Sequence, residues 1–180
     1  QNNIIENCKV TLNRAKIGSS SRINQGILQT ANTSTGAGST ATSAATANSG
    51  NIYRDLFITN SYHGINLIGT AAFPDLGCQI TTALCTNFNT IGDPAIANDL
   101  GGASTLTAAF GIRASDQSGV LISNNSVRNV SATGATDGIN LVLGQGICTV
   151  ANNKVRGIRN SGTSSTTGFA GIRVSHSTVG

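Results

Sequence analysis

The chain has 180 residues, one domain's worth, of which 38% are hydrophobic but only 10% charged and 4% aromatic, with neither Met nor Trp. That balance excludes a compact globule centred on aromatic side chains and favours a thin core of small and β-branched ones. The net charge of +4 comes from eleven scattered Lys and Arg residues, which argues against a nucleic-acid patch, and no apolar stretch reaches membrane-span length.

Thr, Val and Ile favour strands while Asn and Gly favour turns, so many short strands joined by tight turns are expected. Regular Ile and Val spacing argues against a disordered Ser/Thr/Gly tract. The chain opens Gln1-Asn2-Asn3-Ile4 without a signal peptide, so a mature or trimmed start is expected.

Recurring units appear in chain order. Asn2-Asn3-Ile4-Ile5-Glu6-Asn7-Cys8 shares a frame with Asn124-Asn125-Ser126-Val127-Arg128-Asn129-Val130 and with Asn152-Asn153-Lys154-Val155-Arg156-Gly157-Ile158. A weaker copy runs Cys85-Thr86-Asn87-Phe88-Asn89-Thr90-Ile91. The fourth and seventh positions are apolar: Ile5 and Cys8, Phe88 and Ile91, Val127 and Val130, Val155 and Ile158.

A second unit, Gly-Ile followed by a short strand, begins at Gly26, Gly64, Gly111, Gly138 and Gly171, at spacings of 38, 47, 27 and 33 residues. Ile at its second position and an apolar residue at its fourth lie on one strand face. A third unit aligns Val120-Leu121-Ile122-Ser123 with Cys148-Thr149-Val150-Ala151, and Leu56-Phe57-Ile58-Thr59 is similar.

The units alternate, which predicts an all-β, right-handed parallel β-helix solenoid with three short strands per coil, coils about 4.8 Å apart. Residues 1–180 form a single segment of it. Loop insertions near 30–50, 93–110 and 161–170 are expected to project from one corner, where they leave the rungs in register.

The Asn-Asn-x-Val-x-Asn-Val and Gly-Ile-x-Leu units resemble the repeats of the pectate-lyase-like right-handed parallel β-helix superfamily. The likeness covers nearly the whole chain. It implies a fold and not an activity, because lyases, hydrolases, phage tailspikes and adhesins share it. The Ser/Thr/Gly-rich insertions look most like those of large secreted bacterial cell-surface repeat proteins.

Asn2, Asn124 and Asn152 are expected to shape sharp corners and to form amide ladders between coils. Val127, Val130, Val155 and Ile158 are the expected core, with Cys8 inward and Cys148 buried. Cys78 and Cys85 are a candidate disulfide in an oxidising compartment. A zinc site needs closer Cys pairs or accompanying His, and His63 and His176 fall in other coils, so no metal or cofactor is assigned.

No two acids lie within three residues of each other, and Asp116 and Asp137 fall at turn or loop positions. Tyr62-His63-Gly64-Ile65 weakly resembles the His-Gly-Ile stretch of polygalacturonase-like enzymes, whose other motifs are missing. No catalytic residue is therefore assigned, and His63 is read as a turn or surface residue. Arg113 and Arg173, and Arg128 and Arg156, form outward rows that either keep the surface soluble or face acidic glycans.

The expected role is a structural or adhesive, non-catalytic segment of a secreted bacterial surface or fibre protein, placed outside the cell or on its surface. A carbohydrate-active enzyme (polysaccharide lyase or glycoside hydrolase) and a phage-type fibre are the alternatives. No capping helix is recognisable. The expected partners are therefore neighbouring coils of the same longer chain or end-to-end stacked subunits, with glycans or a secretion apparatus beside them. Neither nucleic acid nor a membrane span is expected.

Overall fold

The computed structural model of the protein describes residues 2–13, 24–30, 41–81, 89–96, 99–101, 108–162 and 168–176. Among them it holds twenty β-strands, one turn of 3-10 helix at Ala44–Thr46, and no helix long and apolar enough to cross a membrane. All strand pairs are parallel.

Three five-stranded sheets carry the fold. The first stacks β1 (Ile4–Glu6), β4 (Ile52–Arg54), β8 (Gln79–Ile80), β13 (Leu121–Ser123) and β17 (Thr149–Ala151). The second stacks β2 (Lys9–Thr11), β5 (Phe57–Thr59), β9 (Asn89–Ile91), β14 (Asn125–Arg128) and β18 (Lys154–Arg156). The third stacks β3 (Gln25–Thr30), β6 (His63–Ile68), β11 (Ala108–Ser115), β16 (Ala135–Gly144) and β20 (Phe169–His176).

The chain returns to these sheets in the same order each time, and each return lies beside the previous one. This stacked parallel architecture is consistent with a β-solenoid. Two short sheets sit between the main ones: β7 (Asp75–Leu76) with β12 (Gln117–Ser118), and β10 (Leu100–Gly101) with β15 (Val130–Ala132) and β19 (Arg159–Asn160).

The inward side chains build a narrow column of like residues. Ile65, Ile112 and Ile139 are fully buried in register, as are Ile58, Ile91 and Val127. Val130 is buried too, while Val155 and Ile158 pack on the column from the outermost layer. At both ends the column opens: Ile4 and Ile5 on one side and Ile172 and Val174 on the other are exposed.

Corners are turned by left-handed residues, where Asn, Asp and Gly carry the least steric penalty. Asn7, Asp55, Asn124 and Asn152 occupy one corner with φ of 54°, 52°, 55° and 54°. Asn2 takes φ 56° at a different corner, which it shares with Gly50, Gly77 and Gly119.

That difference corrects the sequence reading. Asn2-Asn3 leads into the first sheet, whereas Asn124-Asn125 and Asn152-Asn153 lead into the second, so the frames do not superpose. An Asn pair announces a left-handed corner without saying which one. Cys8 consequently shares its position with Leu56 and Asn125 instead of Val130, and it is exposed in the end layer. Ile91 falls on Val127 and not on Val130, and Phe88 lies outside the described residues. Likewise Phe57–Thr59 belongs with β14, not with β13.

The amide ladders also run one residue along from the expected Asn2, Asn124 and Asn152. Asn89 Nδ2 donates to Asn125 Oδ1 at 2.8 Å, and Asn125 Nδ2 to Asn153 Oδ1 at 2.9 Å. Asn3 Nδ2 donates to Asn51 Oδ1 at 3.1 Å. The corner residue bends the backbone, and the residue after it turns its amide inward to the neighbouring layer.

The insertions leave from both ends of the third sheet instead of one corner. That near 30–50 follows β3, and those near 93–110 and 161–170 precede β11 and β20. Residues 31–40, 97–98, 102–107 and 163–167 lie outside the described residues. Leu100 inside the second insertion is buried strand, paired with Val130.

Candidate functional site

The third sheet presents the richest set of chemical groups. Its glycines explain how. A Cβ on Gly26, Gly64, Gly111 or Gly138 would overlap Ile58, Ile91, Val127 or Val155 and the carbonyl oxygen of the next glycine in the stack. The glycine and the following Ile therefore both face the column, and the flanking positions turn outward.

Two outward rows result. One is Gln25, His63, Phe110 and Asp137; the other is Leu28, Asn66, Arg113, Asn140 and Arg173. Although they face away from the column, His63, Asn66, Asp137 and Asn140 are buried.

His63 is thus neither a turn nor a surface residue. It opens β6, stacks on Phe110 with ring centroids 5.1 Å apart, and touches Tyr62 at 4.2 Å. Its Nδ1 accepts the Phe110 backbone N–H at 3.1 Å, which places the ring proton on Nε2. Burial, with a smaller push from the Arg113 cation, lowers its pKa to about 3. The imidazole is neutral near pH 7 and too weakly basic to take a proton there.

Asp137 likewise lies within strand β16, and its carboxylate is buried. It accepts from Arg173 Nε at 3.0 Å and Nη2 at 3.2 Å, and from Asn140 Nδ2. The hydrogen bond and charge of Asp137 hold the Arg173 guanidinium above its ordinary value. Arg173 therefore neutralises a buried anion.

Arg113 sits between Asn66 and Asn140 in the stack, with its guanidinium 5.6 Å from the Phe110 ring centroid. Burial lowers its pKa, opposed by Asp116. Among the described residues it makes no ion pair within 4 Å; the pairs present are Arg54–Glu6 and Arg173–Asp137. Asn66 Nδ2 donates to Gln25 Oε1 at 2.8 Å, while Asn66 Oδ1 and Asn140 Oδ1 are buried with no hydrogen-bond partner among the described residues. Arg113 is thus a half-buried cation flanked in the stack by two asparagines whose buried carbonyl oxygens are closed off from solvent.

A second polar cluster lies inside the column. Asp75 accepts from Gln29 Nε2 at 2.6 Å, Gln117 Nε2 at 3.1 Å and Asn48 N–H at 2.8 Å. Tyr53 Oη and Asn51 Nδ2 donate to Gln29 Oε1 at 2.6 and 2.8 Å. Burial raises the pKa of the Tyr53 phenol and of the neighbouring Cys78 thiol. Cys78 is buried and forms no disulfide among the described residues, and Cys85, its candidate partner, lies outside them. Cys148 is half-buried against the column, its Sγ donating to Gln145 O at 3.2 Å.

Arg128 and Arg156 stack in register on the outer face of the second sheet. Among the described residues, no group of three or more His, Cys, Asp or Glu is placed to hold a metal ion. The sequence pattern pointed to the arginines, put His63 and Asp137 in turn, loop or surface positions, and did not single out Asn66 and Asn140. The signal was the two positions flanking each Gly-Ile pair, which share the outward face. Compared with family models, characterised proteins and solved structures, the chain matches none of them.

Proposed function

We propose that the chain is a stretch of right-handed parallel β-helix, three main sheets to the turn, serving as a non-catalytic structural and adhesive segment of a secreted bacterial surface or fibre protein. The right-handed sense accords with the strong preference of parallel crossover connections. The Gly-Ile and Asn-Asn units support a place beside the pectate-lyase-like superfamily.

One observation carries the reading. Many polar and charged side chains, Asp137 among them, are spent on joining one layer to the next: Asn89 to Asn125 to Asn153, Thr11 to Thr59, Thr81 to Ser123, Glu6 to Arg54 and Asp137 to Arg173. The open strand edges with exposed Ile4, Ile172 and Val174 suit further parallel strands, from the same longer chain or a second copy.

The test is incubation with a panel of neutral and acidic polysaccharides, alongside small-angle scattering. Rod-shaped particles and no released oligosaccharide are expected. Release that disappears in Asp137→Asn would replace this reading with a carbohydrate-active enzyme, and a trimer along the long axis would replace it with a phage-type fibre.

A further inference from the structure

Residues 1–116 carry six basic and six acidic side chains, whereas residues 117–180 carry five basic ones against Asp137 alone. The whole formal charge of +4 thus belongs to the last part of the stack. Asp137 is itself taken by Arg173. The other four cations, Arg128, Lys154, Arg156 and Arg159, gather on or beside one face.

Val127 and Val155 pack in the column, so Ser126, Arg128, Lys154 and Arg156 project from the opposite side of β14 and β18. Arg128 is in register with Arg156, and Ser126 with Lys154. Lys154, Arg156 and Arg159 are exposed, and Arg159 stands just past the Gly157 corner. Neighbouring strands set the two arginine backbones about 4.8 Å apart, where like charges repel. Among the described residues no carboxylate lies within 4 Å of the Arg128, Arg156 or Arg159 guanidinium.

We propose that this ridge binds sulfate or phosphate esters carried in series along a linear polysaccharide. A guanidinium fork uses both oxygens of a carboxylate, whereas a tetrahedral ester has a third oxygen to offer the next fork. Arg128 and Arg156 therefore engage one ester together, which relieves their repulsion. Single-stranded nucleic acid binds through aromatic platforms as well as charge. Among the described residues the aromatic ring on this face is Phe57, which lies under Lys9, 5.5 Å from its Nζ. The proposal names what the adhesive reading would adhere to and rests on it only for that, because the ridge is tested apart from rod shape and catalysis.

The 180-residue chain is titrated against dextran sulfate, phosphorylated dextran, unmodified dextran, polygalacturonate and a single-stranded oligonucleotide at several salt concentrations. Binding to an ester-bearing dextran is expected, and the two ester arms identify the source of the anion. The logarithm of affinity should fall linearly with the logarithm of salt as counterions are released. The double variant Arg128→Gln/Arg156→Gln should bind at least tenfold more weakly, and Arg54→Gln, in another sheet and layer, should not change.

Should the double variant alter the circular dichroism, Lys154→Gln/Arg159→Gln replaces it, with a several-fold loss expected. Equal binding to unmodified dextran, preference for polygalacturonate or the oligonucleotide, or unweakened binding by the variants would overturn the proposal. Such failures leave the structural reading standing, since that reading depends on particle shape and product release.

Discussion

At the scale of single residues, Leu143 is the outlier. Its φ is 56°, it is exposed, and it sits where the register between β16 and β20 shifts. A left-handed conformation costs an ordinary L-residue about 1–2 kcal/mol, part of which glycine returns as unfolded-state entropy. Leu143→Gly should therefore stabilise the protein by about 0.5–1 kcal/mol, seen as a higher urea midpoint with an unchanged slope. His63 makes the opposite kind of demand. Its native pKa of about 3 lies below the ~6.5 of an unfolded histidine, so the unfolded state binds more protons between those values. Its contribution is complete above pH ~6.5 and is lost as pH falls towards 3, by up to about 1.4 kcal/mol per pH unit. Comparing the urea stability of the wild type and His63→Gln from pH 7 to 4 should give a difference that shrinks in that direction. A pH-independent difference would contradict the buried, neutral imidazole.

Elements here are held by what lies directly above and below them. Asn125 is fully buried, accepts from Asn89, and donates to Asn153 Oδ1 and to the carbonyls of Ile80 and Ser123. Asn125→Ala should cost about 2–4 kcal/mol, because the buried partners in the adjacent layers are left unsatisfied. Gly64→Ala meets a different obstacle: its Cβ would overlap Ile91 Cγ2 and the Gly111 carbonyl oxygen. Overpacking of that kind should cost about 1–3 kcal/mol, visible as a lower thermal midpoint. The glycine column was legible in the sequence, and the Gly-Ile spacings reproduce the observed pairing of Ile27, Ile65, Ile112, Ile139 and Ile172. The second sheet was legible only in part. Asn-Asn marks a bend, but Asn2 and Asn124 bend the chain into different sheets, and only long-range pairing tells them apart. His63 and Asp137 were misplaced for a related reason. Local sequence shows Asp137 beside a glycine, as in many turns, and does not show the neighbouring strands that fix it in β16 or the Arg173 that balances it.

For the whole molecule, burial is graded along the stack. β11, β14 and β16 are flanked on both sides, while β1, β2, β18 and β20 form the outer layers. Amide hydrogen exchange should follow that gradient, slowest at Ile112, Val127 and Ile139 and fastest in β1 and β20. Uniform protection from end to end would mean that the layers unfold together. The strand pairs join residues 27 to 48 positions apart in the chain, from Ile112–Ile139 to Ile4–Ile52. Folding limited by such non-local closure belongs in the slow, millisecond-to-second range or beyond.

The variable offsets between paired strands have an evolutionary corollary. A layer recognises its neighbour through a few left-handed bends, one close-packed glycine and an inward Ile or Val, and is indifferent to how much chain is looped out between them. Tandem duplication of a stretch such as 112–138 would simply add a storey, with its floor and ceiling already complementary. Length in such a protein can drift by whole storeys while each retained face keeps its chemistry.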